Sequence, residues 1–169
     1  MSSYLIVDGY NLIHKWPRLK KEKQKNIESA CAKLFFLIQQ FCDFQHIEGV
    51  IVYDGKGAKR KTYAGRPTVI YSQKNETADS VIEEMVYNAS DKTKIRVVTD
   101  DRVVTNMVLG MGGTVTATDF FERDLNDAIA SLREMVENKN SHDWTANTII
   151  EQAPFNRAFR KKKKPPFLG

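Results

Sequence analysis

The stretch LIVDGYNLIHKW, residues 5–16, decides the reading of this chain. An apolar run, Leu5-Ile6-Val7, ends in Asp8-Gly9 and continues at once into Tyr10, Asn11, Leu12 and Ile13. A hairpin built on Asp-Gly would return as a second alternating strand. The residues that follow here do not alternate. The stretch therefore predicts a strand over Tyr4–Asp8 that leads into a tight connection, with Asp8 at the strand's carboxyl end.

Working outward, apolar runs alternate with helical stripes. Ile27, Ala30, Cys31, Leu34, Leu37, Ile38 and Phe41 recur at steps of three and four, the stripe of a long amphipathic helix. Val50–Asp54 reads as a second strand. The segment GKGAKRKTYAGRP (55–67) reads as a glycine-rich basic loop. Thr68–Ser72, Ile95–Thr99 and Thr114–Thr118 read as further strands. Helical stripes over 78–89, 103–111 and 121–136 separate or follow them. Strands alternating with helices imply right-handed crossovers and a parallel sheet. The expected class is α/β, a three-layer α/β/α sandwich around a central, mainly parallel sheet. Residues 1–138 form the expected domain. Residues 139–169 lack periodicity and are expected to be a basic C-terminal extension, partly disordered.

Composition narrows the function. The chain has 169 residues and a formal net charge of +5. Seven basic residues against two acidic ones from Lys139 onward account for that excess, leaving 1–138 neutral. A neutral body with a cationic tail suits a polyanionic partner, although a merely solvating tail has the same composition. The opening residues carry no basic segment ahead of a long apolar one, and no run is long enough to span a bilayer. A soluble, cytoplasmic protein without membrane association is expected. Cys31 and Cys42 fall in one predicted helix, roughly 16 Å apart at the helical rise. That is too far for a disulfide, which needs Cα atoms within about 7 Å. No Cys/His spacing suggests a zinc site.

The acidic residues carry the chemistry. In open parallel sheets, ligands bind beyond the carboxyl ends of the strands. Asp8 closes the first strand and Asp54 the second. Asp101 follows IRVVT, and Glu76 and Asp79 open the helix after TVIYS. Distant segments thus deliver carboxylates to one rim. Each acid alone has a plainer reading as turn or cap chemistry, and Asp100 reads as a cap before a ligand. Together, like charges that converge repel unless a cation neutralises them. Carboxylate oxygens suit Mg²⁺ or Mn²⁺, one ion or two. A hard cation there supports in-line displacement at a phosphodiester. Asn11 is read two ways, as a side chain orienting Asp8 or as part of an Asx turn. Tyr10 and Trp16 are read as packing residues before base-stacking ones. His14, His46 and His142 are scattered, so no histidine is expected to be catalytic.

These residues also resemble a known family. VDGYNLIHKWP, VIVYDG, NETAD and VVTDD, in that order, resemble the NYN domains of the PIN-like nuclease superfamily, in their YacP-like branch. The resemblance covers roughly 3–138. It implies a PIN-like fold and Mg²⁺- or Mn²⁺-dependent endoribonuclease activity. By motif position it implies a site of Asp8, Asn11, Asp54, Glu76, Asp79 and Asp101, with Asp8, Asp54, Asp79 and Asp101 as metal ligands. It further implies mRNA cleavage on translating ribosomes. Where the family carries serine in TSD, this chain has Asp100, which adds negative charge beside the site.

Basic residues flank the rim. Lys15, Arg18, Lys20 and Lys21 lie before the long helix, and Lys56, Lys59, Arg60, Lys61 and Arg66 follow Asp54. Arg160, Lys161 and Lys162 lie in the tail. All are expected to bind RNA phosphates, which gives affinity rather than sequence choice. The rival expectation is an RNA- or ribosome-binding module without catalysis. A phosphatase of small esters is weaker, because position 10 is Tyr10 and no Asp-x-Asp nucleophile motif exists there. Oligomeric state stays open at this level.

Overall fold

A computed structural model describes residues 3–140, with side chains as far as 137. The chain divides into two compact units, Met1–Leu132 and Arg133–Gly169. The first contains the sheet and the candidate site. The expected basic extension lies mostly outside the described residues.

The elements run β1 (Tyr4–Asp8), α1 (Gly9–Lys15), α2 (Pro17–Lys25), α3 (Ile27–Gln45), β2 (Glu48–Gly57), β3 (Lys61–Tyr63), β4 (Thr68–Gln73), α4 (Ala78–Asn88), β5 (Ile95–Val98), α5 (Arg102–Gly110), β6 (Thr114–Thr116) and α6 (Thr118–Asn140). The six-stranded sheet has the order β3-β4-β2-β1-β5-β6. Every pairing is parallel except β3 on β4. The expected α/β/α sandwich with a mainly parallel sheet is what the chain forms.

The strand period of two sorts the core into two layers. Leu5, Val7, Ile51, Tyr53 and Val98 face α1, α2, α3 and α6, packing on Leu12, Trp16, Leu19, Leu34, Ile38, Phe41, Phe121 and Leu125. Ile6, Val50, Val52, Ile95 and Val97 face α4 and α5, packing on Val81, Ile82, Val86, Val104 and Val108. The order reverses at β1. The chain first winds outward through β2 and β4, then returns to place β5 on the other side of β1. Such a reversal opens a crevice at the carboxyl edge of the sheet.

Two features differ from the sequence reading. The segment expected as a plain loop contains β3, which pairs antiparallel with β4 through Lys61–Tyr71, Thr62–Ile70 and Tyr63–Val69. Its three residues are all exposed, so no burial pattern marks them. The connection after β1 is two short helices. Trp16 ends α1 and begins α2, where Pro17 fits the first helical position. Trp16 is fully buried, and its Nε1 donates to the Thr118 carbonyl at 3.2 Å. Among the described residues, no helix is long and apolar enough to cross a membrane.

Candidate acidic site at the carboxyl edge of the sheet

The register brings the strand ends level. Asp8 pairs with Val52, and Val7 lies opposite Val98. Asp54 therefore follows two residues beyond Asp8's partner, and Thr99-Asp100-Asp101 continues from Val98 at the same edge.

Close backbone approaches make this geometry possible. A Cβ on Gly9 would stand 2.2 Å from Tyr53 Cε1. A Cβ on Gly55 would stand 1.9 Å from the Ser72 carbonyl oxygen. Glycine is therefore required directly after both Asp8 and Asp54. The buried Ser72 hydroxyl accepts from the Gly55 N–H at 3.0 Å and donates to the Glu76 carbonyl at 2.9 Å. It ties the end of β2 to the turn before α4.

Asp8, Asp54 and Asp101 are each fixed at a helix start. Asp8 Oδ1 accepts from the Asn11 N–H at 3.1 Å and caps α1. Asp54 Oδ1 accepts from the Ala78 N–H at 2.7 Å, the first residue of α4. Asp101 Oδ1 accepts from Val103 and Val104 at 2.7 and 3.1 Å and caps α5. The buried Thr99 hydroxyl accepts from the Asp101 N–H at 3.0 Å. Asp79 lies in the first turn of α4, which Thr77 caps. Helix N-termini favour these negative charges.

Capping alone would hold such carboxyls at or below their ordinary range. Asp8 stands above it. Burial, with added repulsion from Asp79 and Asp54, pushes it up to about 6 despite the bonds from Asn11 and Tyr10. Burial, then the charges of Asp101 and Asp54, likewise hold Asp79 above its usual value. Asp8 and Asp79 therefore each feel the charge of carboxylates carried on other elements. No group of three or more His, Cys, Asp or Glu side chains is already drawn together as a metal cage among the described residues.

The other expected site residues sit differently. Glu76 is turned toward Arg60, whose Nε and Nη2 donate to its carboxylate, and it accepts from the Gln73 N–H at 3.0 Å. Arg60 and that N–H hold Glu76 below the ordinary carboxylate range. Asn11 contributes its backbone N–H to the Asp8 side chain, which caps α1. Its side chain makes no hydrogen bond among the described residues.

Asp100 is directed to the start of α6, where it accepts from the Thr118 N–H at 2.9 Å and from the Thr118 hydroxyl, and it faces Lys15 at 3.6 Å. Burial opposes its charge, but the Thr118 bonds and Lys15 together pull its pKa below the usual value. The charge that departs from the family pattern is therefore already partnered.

Several basic residues expected on RNA have partners within the fold. Arg18 lies over the Trp16 ring at 5.2 Å, donates to Asn126 at 3.0 Å and faces Glu122 at 3.6 Å. Arg66 pairs with Glu48 at 3.3 Å. Lys20, Lys21, Lys56, Lys59 and Lys61 are exposed and make no ion pair among the described residues. Arg160, Lys161 and Lys162 lie outside the described residues. The sequence reading missed Ser72 and Thr99. Their only signal is a hydroxyl at a strand's carboxyl end beside a predicted acid.

Comparison with known proteins finds likeness in sequence and in fold. The family model described as "YacP-like NYN domain" matches residues 5–160. A Bacillus subtilis (strain 168) relative described as "Uncharacterized protein YacP" is 36% identical over 115 residues. That match spans 64% of this chain and 66% of the relative, just under two thirds of its length. The crystal structure of Rae1 (YacP) from Bacillus subtilis superposes with a TM-score of 0.71 at 26% identity, covering 93% of this chain and 92% of that one. A tryptophan-to-leucine mutant of the same protein gives a TM-score of 0.72 at 24% identity, covering 92% of this chain and 99% of that one.

Proposed function

We propose a function from one premise: the chain belongs to the YacP-like NYN domain family, within the PIN-like nuclease superfamily. That membership supports a nuclease-type hydrolase at the coarse level. The finer reading is a metal-dependent endoribonuclease that hydrolyses RNA phosphodiester bonds.

The donor chemistry fits a hard divalent cation. Asp8, Asp54, Asp79 and Asp101 offer only carboxylate oxygens, the ligand type of Mg²⁺ and Mn²⁺. Burial first, and then repulsion from neighbouring aspartates, disfavours charge on Asp8 and Asp79, and such an ion relieves both. When bound, an ion of this kind makes water more acidic and stabilises charge on the attacking and leaving oxygens. The chain's own part is to hold the ligands in place. Burial and the Asn11 N–H fix Asp8, α4 fixes Asp54, and the first turn of α5 fixes Asp101. Glu76 serves the frame of the site through Arg60.

The observation that carries this reading is the level carboxyl edge of β1, β2 and β5, where Asp8, Asp54 and Asp101 are each bonded to a helix-start N–H. The test incubates purified protein with single-stranded and structured RNA, with and without Mn²⁺. Cleavage that needs the metal, and that Asp8→Asn abolishes while RNA binding persists, supports the enzyme. A second reading, an RNA-binding module, draws on the absence of a preassembled metal cage among the described residues. RNA binding without cleavage under any metal condition favours it. The proposed partner is mRNA engaged at the ribosome, and co-sedimentation of the protein with ribosomes tests that extension.

A further inference from the structure

The segment between Asp54 and β4 carries Lys56, Lys59 and Lys61, all exposed and without an ion pair among the described residues. Arg60, in their midst, is not free. Its Nε and Nη2 donate to Glu76, and its Nη1 and Nη2 reach Glu84 at 3.2 and 2.6 Å. Glu84 lies on α4, the helix that carries Asp79 at its start. Glu76 lies in the turn that Ser72 ties to Gly55. One guanidinium therefore joins a cationic arm to the acidic rim by charge-assisted bonds, the strong class of hydrogen bond. Further along the arm, Tyr63 is 51% exposed, and its ring stands edge-on to Tyr71 at 6.0 Å.

We propose that residues 55–63 form an arm that grips a single RNA strand beside the acidic rim, and that Arg60 is the positioning residue latching this arm to α4. The inference rests on the nuclease reading for the meaning of the rim, but its test does not need cleavage. The lysines act as point charges for phosphates. The exposed Tyr63 face takes an unstacked base, which a duplex does not present. Arg60 commits four of its N–H bonds to two carboxylates and acts through the arm rather than on phosphate. Without the latch, only the ladders of β2 and β3 on β4 hold the arm, and residues 58–60 between those strands lose their tie to α4.

The sign of one effect decides the matter. Anisotropy of a labelled single-stranded oligouridine, with EDTA present to prevent hydrolysis, measures affinity in the full chain. Glu84→Gln removes a negative charge near the arm. Simple electrostatics, or release of Arg60 to grip phosphate, tightens binding. The latch predicts the reverse, with affinity weaker by about three- to tenfold, and weaker still in Glu76→Gln/Glu84→Gln. Hydrogen exchange over 58–63 then quickens in Glu84→Gln while exchange in the central strands β1 and β5 is unchanged, which excludes general unfolding. Lys59→Ala lowers the salt slope by about 0.7. Equal or tighter binding by Glu84→Gln overturns the latch. A duplex bound as tightly as the single strand, or no loss in Tyr63→Ala, overturns the single-strand arm. Arm-dependent binding without metal-dependent cleavage refutes the nuclease reading and leaves the arm standing.

Discussion

The ring of Tyr53 occupies the space where a side chain on Gly9 would begin, with Cε1 2.2 Å from that Cβ position. Tyr53 is itself only 2% exposed and packs between Tyr10 at 4.9 Å and Tyr71 at 5.2 Å. The ring has little room to retreat. Gly9→Ala is therefore expected to cost about 1–3 kcal/mol by overpacking. Urea denaturation measures this. Tyr53→Leu in the Gly9→Ala background is expected to recover part of the loss, a coupling that a double-mutant cycle reads directly.

Asp8 makes metal-free stability depend on pH. Its folded value of about 6 lies above its ordinary value of 3.8. Between the two, the folded protein keeps a proton that the unfolded chain has released. Ionised Asp8 therefore destabilises the fold above pH 6, and the penalty is relieved as pH falls through about 6. Asp8→Asn keeps an oxygen for the Asn11 N–H and removes the charge. Calorimetry with EDTA is expected to show Asp8→Asn more stable than wild type above that value, by up to about 3 kcal/mol. The difference is expected to shrink steadily under more acidic conditions.

Divalent cations are expected to reverse that ranking. An ion bound only by the folded state, present at about 1,000 times its dissociation constant, adds about 4.1 kcal/mol, more than the metal-free advantage of Asp8→Asn. A thermal-shift titration with Mn²⁺ is expected to stabilise wild type, to lose most of its effect in Asp8→Asn or Asp79→Asn, and to keep it in Glu76→Gln. The last variant separates the mutually repelling aspartates from the carboxylate committed to Arg60.

Asp100 is expected to matter for stability and not for cleavage. It secures the start of α6 through Thr118 and pairs with Lys15. Asp100→Ala is expected to cost about 0.5–2 kcal/mol, the usual range for a lost cap. RNA cleavage below the melting temperature is expected to stay within a few-fold of wild type.

The sequence shows the sheet because its central strands are apolar and sharply punctuated. Leu5–Val7, Val50–Tyr53 and Ile95–Val98 each end beside an acid at the carboxyl edge. It does not show β3, whose Lys61, Thr62 and Tyr63 bury nothing. Asp8, Asp54, Asp79 and Asp101 are legible because motif spacing and strand ends point to the same rim. The partnering of Arg60 with Glu84, and of Arg18 with Asn126 and Glu122, joins residues 24 to 108 positions apart. Local patterning holds no trace of such contacts. Ser72 and Thr99 escaped for another reason. A hydroxyl earns its place by the backbone groups it reaches, and these become visible only when the turns are closed.

The most direct measurement is anomalous diffraction from crystals soaked in Mn²⁺. The account predicts a peak at the carboxyl edge of the sheet, bounded by oxygens of Asp8 and of its neighbours among Asp54, Asp79 and Asp101. A rim that stays empty at saturating Mn²⁺, or an ion held elsewhere while these side chains remain apart, contradicts it.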